Sequence, residues 1–393
     1  MTDVKLREYQ SFNRLIKTLT RIVGLWPKSK PSFFYRSLPF VNMAVCMAII
    51  YFIMTFVVIN ISNINVMTKG LGLGTSFMNT ILKIMCVAFN YKDLVELHET
   101  LQPLFDKLLS DKQIRELILP KISGIRRLSS VMMHLIGLSI LTFILKPAIT
   151  ILHRKRLANS TDFSADLSAA PAIYPWSINS VNFYFFCQYV FECYTGFLLF
   201  CVTTGVDSLF LFYIFQMMSQ LRAMSNRLDI LTMHDDYVKV IADCVLKYQK
   251  LMRCRDILES IYGPIILWML LTSAVVLCAL TFQISQVEHV TAGHILLFVG
   301  YTGSKMLQTY LYAWGGSILT SASEELEESI YATDWPGSGK LRFMTSILIM
   351  LSQKPLVLTA CSYTVVSVDM FAMVMNTTVS YFFLLQTMDE KTK

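Results

Sequence analysis

Residues 343–388 read FMTSILIMLSQKPLVLTACSYTVVSVDMFAMVMNTTVSYFFLLQTM, an apolar stretch that the polar tetrapeptide at 352–355 divides. About 33 residues follow the break, and about 20 helical residues at 1.5 Å each cross the hydrocarbon core of a bilayer. Proline lacks an N–H and suits the first turn of a helix, so we expect this helix to begin at Pro355. The stretch therefore predicts a membrane-spanning helix over 355–388, with a short tail at 389–393.

Polar side chains interrupt this predicted last helix. They are Thr359, Ser362, Thr364, Ser367, Asp369, Asn376, Thr377, Thr378, Ser380 and Gln386. Polar groups in a membrane cost free energy unless they face protein or water. Hydrogen bonds between neighbouring helices explain them, and so does a helix that lines an aqueous path. The residues alone leave both interpretations open, and they make Asp369 the charge expected to be functional.

Composition places the chain in a membrane. Of 393 residues, 54% are hydrophobic and 16% are charged, and the mean hydropathy is +0.51, whereas a soluble domain has about 25% charged residues. The net charge of +7 is therefore expected to reflect membrane topology rather than a nucleic-acid partner. The histidines are scattered, and catalytic and phosphate-binding motifs are missing. The sequence thus predicts neither an enzyme nor a cofactor or metal site.

Apolar segments predict an all-α membrane protein with seven spans. The spans are expected at 38–60, 66–89, 128–152, 180–205, 257–284, 293–314 and 355–388. Apolar residues at helical spacing beyond these spans predict amphipathic helical extensions that need a partner surface. The other segments are then an N-terminal part at 1–36, an outer loop at 153–179, an inner loop at 216–257 and a cytoplasmic segment at 315–354.

Lysine and arginine residues orient the spans, because cytoplasmic loops carry an excess of both. One side has 25 of them and the other has 6. The amino terminus is therefore predicted to be cytoplasmic and the carboxyl terminus extracellular, which is opposite to a G-protein-coupled receptor. The triplet Asn159-Ser160-Thr161 then falls outside, where Asn159 is a candidate glycosylation site.

Four features within or beside the spans need a separate explanation. Lys83, Lys146 and Lys305 lie inside predicted spans. We expect the Lys146 side chain to extend toward the outer membrane surface, and those of Lys83 and Lys305 to extend toward the inner one. The glycines Gly70, Gly72 and Gly74 lack the strand and helix context of a nucleotide loop. This run is expected to serve close helix packing or to distort the second span.

Short motifs along the chain resemble those of the insect odorant receptors. These are GLWP at 24–27, YPW at 174–176, DSLF at 207–210, YAWG at 312–315, SQKP at 352–355, LTA at 358–360 and SYF at 380–382. The motifs are most specific in the last third of the chain. Ala313 departs from the family, in which cysteine is common at that position.

The resemblance implies a ligand-gated cation channel of four subunits in the plasma membrane of olfactory sensory neurons. Inner extensions of helices four to seven would form a cytoplasmic anchor domain, and the last helix would line the pore. The segment between spans four and five is shorter than that of the family's coreceptor. The resemblance therefore implies a tuned subunit that assembles with an odorant coreceptor into a heterotetramer.

The resemblance also implies where a small volatile would bind and where the pore would close. The family's ligand pocket lies among the outer halves of helices two, three, four and six. The corresponding residues are Thr75, Ser76, Met78, Asn79, Ser139, Thr142, Phe143, Tyr184, Cys187, Gln188, Phe191, His294, Phe298, Tyr301 and Thr302. The family's apolar gate corresponds to Leu384, Thr387 and Met388.

Two other functions compete with this one. A gustatory receptor channel of the same superfamily would carry a different signature in its last helix, which residues 380–387 match poorly. A G-protein-coupled receptor would have the opposite topology. The location of the carboxyl terminus separates that class from the channel.

Overall fold

The computed structural model describes residues 2–61, 64–156, 170–176, 183–231, 237–285, 292–333, 335 and 341–392. Nearly all of these residues are helical, as the sequence predicts. The helices are α1 (Thr2–Ile22), α2 (Phe33–Ile59), α3 (Ile64–Phe89), α4 (Tyr91–Ser110), α5 (Lys112–Ile118), α6 (Ile122–Arg156), α7 (Phe183–Asp229), α8 (Tyr237–Ser285), α9 (Ala292–Tyr331), α10 (Leu341–Leu351) and α11 (Val368–Thr392). Two short strands, β1 (Thr359–Ala360) and β2 (Thr364–Val365), precede α11.

Five helical segments among the described residues are long and apolar enough to cross a membrane. They are Phe33–Ile59, Gly70–Phe89, Lys112–Leu145, Phe183–Asp229 and Tyr237–Ala274. These segments correspond to the first five predicted spans, and the spans predicted at 293–314 and 355–388 stay predictions. Several helices extend well past the predicted spans, as the amphipathic pattern indicates.

Helix α7 forms the centre of the molecule. Every residue from 201 to 221 is buried, Asp207 and Gln216 included, and a helix that is buried around its whole circumference lies in the interior of a bundle. Helices α1, α3, α4, α6 and α9 pack around it. The amphipathic stripe of α4, which includes Leu97, Leu101 and Phe105, is fully buried. The partner surface that this stripe needs is therefore supplied within the same chain, by α7 and α8.

The glycine run in α3 serves close packing, as one of its two interpretations predicts. A Cβ atom placed on Gly70 would lie 2.6 Å from Cγ2 of Val57 on α2. That separation is far below an ordinary carbon contact. Helices α2 and α3 can approach this closely only because the side chain is absent.

The predicted start of the last helix at Pro355 is wrong. The helix begins at Val368, and the residues after Pro355 form a hairpin in which Thr359 pairs with Val365. Its turn holds Cys361 and Ser362 at φ values of 51° and 62°, a conformation that a helix does not allow. Leu356, Leu358 and Ala360 are buried while their neighbours are not, which is the period-two pattern of a strand.

Candidate functional site

An ion pair lies inside the helix bundle, with Asp207 of α7 at its centre. Lys83 of α3 places Nζ 2.6 Å from Asp207 Oδ1, and both side chains are 0% exposed. Tyr312 donates its hydroxyl to Oδ1 at 2.5 Å, and Gln308 donates Nε2 to Oδ2 at 2.7 Å. Removing charges from water costs several kcal/mol per ion unless good geometry and further hydrogen bonds repay it. The Asp207 carboxylate has both a close ammonium partner and two further hydrogen bonds.

The prediction that Lys83 extends to the membrane surface is therefore wrong. Its ammonium turns into the bundle because a carboxylate from another helix lies there. That partner is more than a hundred residues away along the chain, so no local pattern around Lys83 indicates it. Asp207 itself lies in a motif that carries the family resemblance, and this was the one available signal.

A second polar cluster lies about two helical turns away, between α3 and α9. Ser76 Oγ is 2.8 Å from the Tyr301 hydroxyl, which also donates to the carbonyl of Gly72. Thr75 donates to the same carbonyl at 2.8 Å. Three residues predicted for the ligand pocket thus meet at one place, which we call the outer cluster. The group around Asp207 is called the inner cluster.

Helix α6 reaches the outer cluster through Ser139. A Cβ atom placed on Gly300 would lie 2.9 Å from Ser139 Oγ, so α6 and α9 are in close contact beside Tyr301. Thr142 donates to the Ser139 carbonyl at 2.8 Å, and Phe143 is half-buried on the next turn. The predicted pocket residues of α3, α6 and α9 therefore converge.

Two atoms of the predicted pocket are buried without a hydrogen-bond partner within the described part of the chain. They are Asn79 Oδ1 and Thr302 Oγ1. Asn79 lies one turn from Ser76 on α3, and Thr302 follows Tyr301 on α9. Buried polar atoms are almost always hydrogen-bonded. The outer cluster therefore has polar capacity that its protein neighbours leave unused.

The predicted pocket residues of α7 do not share one environment. Gln188 is buried; it accepts a hydrogen bond from Trp176 at 3.1 Å and donates one to Glu192 at 3.0 Å. Tyr174 also donates to Glu192, at 2.9 Å. These contacts fix residues 170–176 onto α7. Sequence analysis missed Glu192, although a glutamate inside an apolar helix was a visible signal.

Other predicted site residues are exposed or lie outside the described part. Tyr184, Cys187 and Met78 are exposed, and Phe191 is half-buried against the core. Thr387 is exposed on α11. The side chains of His294, Phe298, Lys146, Leu384 and Met388 lie outside the described residues, as does the whole of Asn159. Asp369 is exposed in the first turn of α11.

The inner half of α9 holds the segment that leads into α11. A Cβ atom placed on Gly316 would lie 2.0 Å from the Val366 carbonyl oxygen. Ser317 accepts a hydrogen bond from the backbone N–H of Val368 at 2.9 Å, and Ser323 accepts one from the N–H of Leu356 at 2.9 Å. One helix thus contacts the outer cluster, the inner cluster and the start of α11.

A half-buried histidine lies on α4, outside the apolar helices. His98 contacts the Trp26 ring, with ring centroids 5.0 Å apart, and its Nδ1 lies 3.4 Å from the Tyr213 hydroxyl. Burial lowers the pKa of His98 to about 4, and the positive charge of Lys17 lowers it further than Glu99 raises it. The imidazole is therefore neutral at physiological pH.

Long apolar helices packed around the buried middle of α7 define a polytopic, all-helical membrane protein. The chain belongs to the odorant receptor family, because the family model described as 7tm Odorant receptor matches residues 63–379. The resemblance drawn from the short motifs is thereby confirmed. It is a receptor family rather than an enzyme family, in agreement with the prediction from the missing catalytic motifs.

Individual relatives are distant in sequence. Odorant receptor 13a of Drosophila melanogaster is 24% identical over 56% of this chain and 58% of its own length. The Odorant receptor coreceptor of Anopheles gambiae is 28% identical over 36% of this chain and 30% of its own length. Odorant receptor 9a of Drosophila melanogaster is 21% identical over 83% of both chains. The chain thus matches less than two thirds of the first two relatives.

A solved structure has the same fold. The insect olfactory receptor OR5 from Machilis hrabei, in complex with eugenol, superposes with a TM-score of 0.79. The superposition covers 98% of this chain and 99% of that one, at 14% sequence identity. An identity this low supports the shared fold alone.

Proposed function

We propose that the chain is an odorant receptor subunit that forms, with an odorant coreceptor, a non-selective cation channel opened by a small volatile. The observation that carries the proposal is the outer cluster, where α3, α6 and α9 meet. Binding pockets combine an apolar lining with a few well-placed polar groups. Ser76, Tyr301 and the unpartnered atoms of Asn79 and Thr302 provide such groups.

The proposed ligand class follows from the chemistry of this cluster and from the ligand of a protein with the same fold. The OR5 structure from Machilis hrabei holds eugenol, a small volatile phenol. The Tyr301 ring and the hydroxyl groups of Ser76 and Thr302 offer the aromatic and hydrogen-bonding contacts that suit such a molecule. A ligand shifts a conformational equilibrium only by its difference in affinity for the two states. Binding at the outer cluster must therefore favour the conducting arrangement of the helices.

Helix α9 gives a physical route from the pocket to the pore. It carries Tyr301 at one end and, four turns further on, Ser317, which holds the first turn of α11. In this proposal α11 lines the pore, with Leu384, Thr387 and Met388 at its apolar gate. An apolar constriction closes by excluding water, so a small displacement of α11 suffices to open it.

The proposed partner is a coreceptor subunit, and the proposed topology has the amino terminus inside. Similarity to the coreceptors of Anopheles gambiae and Drosophila melanogaster supports a shared mode of assembly. The distribution of lysine and arginine supports the orientation. An outer location of 153–179 would also allow glycosylation of Asn159.

Currents evoked by a panel of small volatiles, including eugenol, test this function in cells that express the chain with a coreceptor. We expect Tyr301→Ala to raise the half-maximal concentration roughly tenfold or more, because about 1.4 kcal/mol of binding free energy corresponds to tenfold. Tyr331→Ala is the matched control, since Tyr331 lies on the same helix and is 68% exposed. Unchanged responses in Tyr301→Ala and in Leu384→Ala would exclude the proposed pocket and gate.

Labelling of a carboxyl-terminal epitope tag on intact cells tests the topology separately. We expect the tag to be labelled without permeabilisation. A surface-resident protein whose tag is reached only after permeabilisation would reverse the proposed orientation.

A further inference from the structure

A stripe of polar residues on one face of α9 indicates which chemical class of ligand the proposed pocket binds. Tyr301, Lys305, Gln308 and Tyr312 are spaced by four, three and four residues, so they lie on one face of the helix. Tyr301 contacts Ser76 of α3, while Gln308 and Tyr312 contact Asp207 of α7. This face therefore points into the bundle, and Lys305 lies between the outer and the inner cluster.

Lys305 directs its charge toward the outer cluster. Its Nζ lies 5.7 Å from the centroid of the Tyr301 ring. Tyr301 is the residue that binds Ser76 and Gly72. The ammonium is thus adjacent to the residue at the centre of the proposed pocket.

The two clusters together carry one more positive charge than negative charge. The carboxylate of Asp207 is engaged by Lys83, Gln308 and Tyr312. No carboxylate of the described residues lies within ion-pair distance of Lys305. Lys305 is half-buried, and an uncompensated charge on a membrane-spanning helix is costly and commonly marks a functional site.

Extension of Lys305 to either membrane surface does not account for this charge. It lies 13 positions after Ala292, where α9 begins, and nine positions before Trp314, where the sixth predicted span ends. These separations correspond to roughly 20 Å and roughly 14 Å along a helix. Lysine side chains reach the interface from helix ends, and both distances exceed the length of the side chain. The charge is therefore expected to be balanced inside the bundle.

We propose that the ligand is a small organic acid whose carboxylate binds the Lys305 ammonium. This inference rests on the proposed function and assigns a chemical class to the same pocket. The Thr302 hydroxyl, one turn before Lys305 and without a partner within the described part of the chain, donates the second hydrogen bond to the carboxylate. The hydrocarbon portion of the acid occupies the apolar part of the pocket between α3, α6 and α9.

Thermal unfolding of the full-length chain in lipid nanodiscs tests this assignment without any current. The probes are a homologous series of straight-chain carboxylic acids and the alcohols of matching length, at constant pH and chloride. We expect the best acid to stabilise the protein at a concentration at least about tenfold below that of its alcohol, since charge-assisted hydrogen bonds are the stronger ones. We expect Lys305→Met to abolish that difference and Lys305→Arg to keep much of it.

A control separates this charge from general effects of acids on the protein. Lys354→Met removes an exposed lysine and is expected to leave the preference for acids unchanged. The assignment is overturned if alcohols match the acids, if no acid stabilises the chain, or if Lys305→Met retains the preference. The unfolding assay measures binding and therefore tests only the ligand class. The channel proposal is tested separately by the odorant-evoked currents.

Discussion

The two polar clusters on α9 differ in whether a buried ion pair joins their helices. In the inner cluster the Asp207 carboxylate has an ammonium, a hydroxyl and an amide as partners. In the outer cluster Asn79 Oδ1 and Thr302 Oγ1 lack partners among the described residues. A buried carboxylate whose partners come from two other helices fixes one arrangement of those helices, whereas the outer cluster has no ion pair among the described residues and keeps polar atoms that can bind something else. We therefore assign the inner cluster to folding and the outer one to the ligand.

The largest expected effect is the loss of one member of the inner ion pair. Lys83→Met leaves the Asp207 carboxylate buried without a charge partner, and breaking a buried pair in this way costs about 3–5 kcal/mol. We expect a large drop in the thermal unfolding midpoint and in the amount of protein at the cell surface. Fluorescence-detected unfolding in detergent and surface labelling measure the two effects.

The double variant Lys83→Met with Asp207→Leu is the control for this prediction. Replacing both charges with apolar groups of similar volume is often neutral or stabilising. Part of the stability should therefore return, and part should stay lost because Tyr312 and Gln308 lose their acceptor. Single variants as stable as the unchanged protein would contradict the structural assignment of the inner cluster.

The next largest effect is expected at the contact between α9 and the segment before α11. Gly316→Ala places a methyl group against the Val366 carbonyl oxygen, 2.0 Å from it if nothing moves. Overpacking costs about 1–3 kcal/mol, and the strain falls on the proposed route to the gate. We expect a lower unfolding midpoint and a smaller maximal odorant-evoked current.

Gly303→Ala on the same helix is the matched control, because the nearest atom to its Cβ is 3.7 Å away. We expect it to change neither measurement. Equal effects of Gly316→Ala and Gly303→Ala would contradict this prediction, because they would show that the contact with Val366 does not determine the effect of an alanine in α9.

The sequence predicted those features whose pattern lies within one segment of the chain, and it missed those that depend on a distant residue. The stripe of α4 follows from apolar periodicity, which a single segment displays. The same kind of pattern predicts that α7 continues as a helix beyond its span, but not that residues 201–221 are buried on every side. The burial of Lys83 depends on Asp207, a residue on another helix. The hairpin before α11 was missed because Pro355 also fits a helix start, and because Val357 is as apolar as Leu356 and Leu358, so that the alternating burial of 356–360 is not visible in the sequence. The prediction for Lys83 failed because its partner is distant in the sequence, and the helix start at Pro355 failed because two local patterns compete there.

A smaller effect on stability is expected from the hydroxyl at the outer cluster. Tyr301→Phe removes the hydrogen bonds to Ser76 and Gly72, which are each worth about 1 kcal/mol net. We expect a modest loss of stability but a clear rise in the half-maximal ligand concentration, because the cluster is assigned to the ligand. Tyr331→Phe on the exposed face of α9 serves as the control. If Tyr301→Phe lowers the stability but leaves the half-maximal ligand concentration unchanged, the outer cluster supports the fold rather than ligand binding.

The smallest effect is expected at His98, which lies outside both clusters and tests whether stability can change without ligand sensitivity. Its folded pKa of about 4 lies below the usual value of about 6.5, so the unfolded chain binds more protons between these pH values. The unfolding free energy therefore falls as pH drops through that window, by about 1 kcal/mol from this residue at pH 5.5. His98→Gln stays neutral and should remove that part of the pH dependence, measured as the difference between the two unfolding curves. Ligand sensitivity at neutral pH should not change, because His98 contacts Trp26 and Tyr213 rather than either cluster. An identical pH dependence in the two proteins would mean that His98 has the same pKa in the folded and the unfolded chain, so that burial does not lower it.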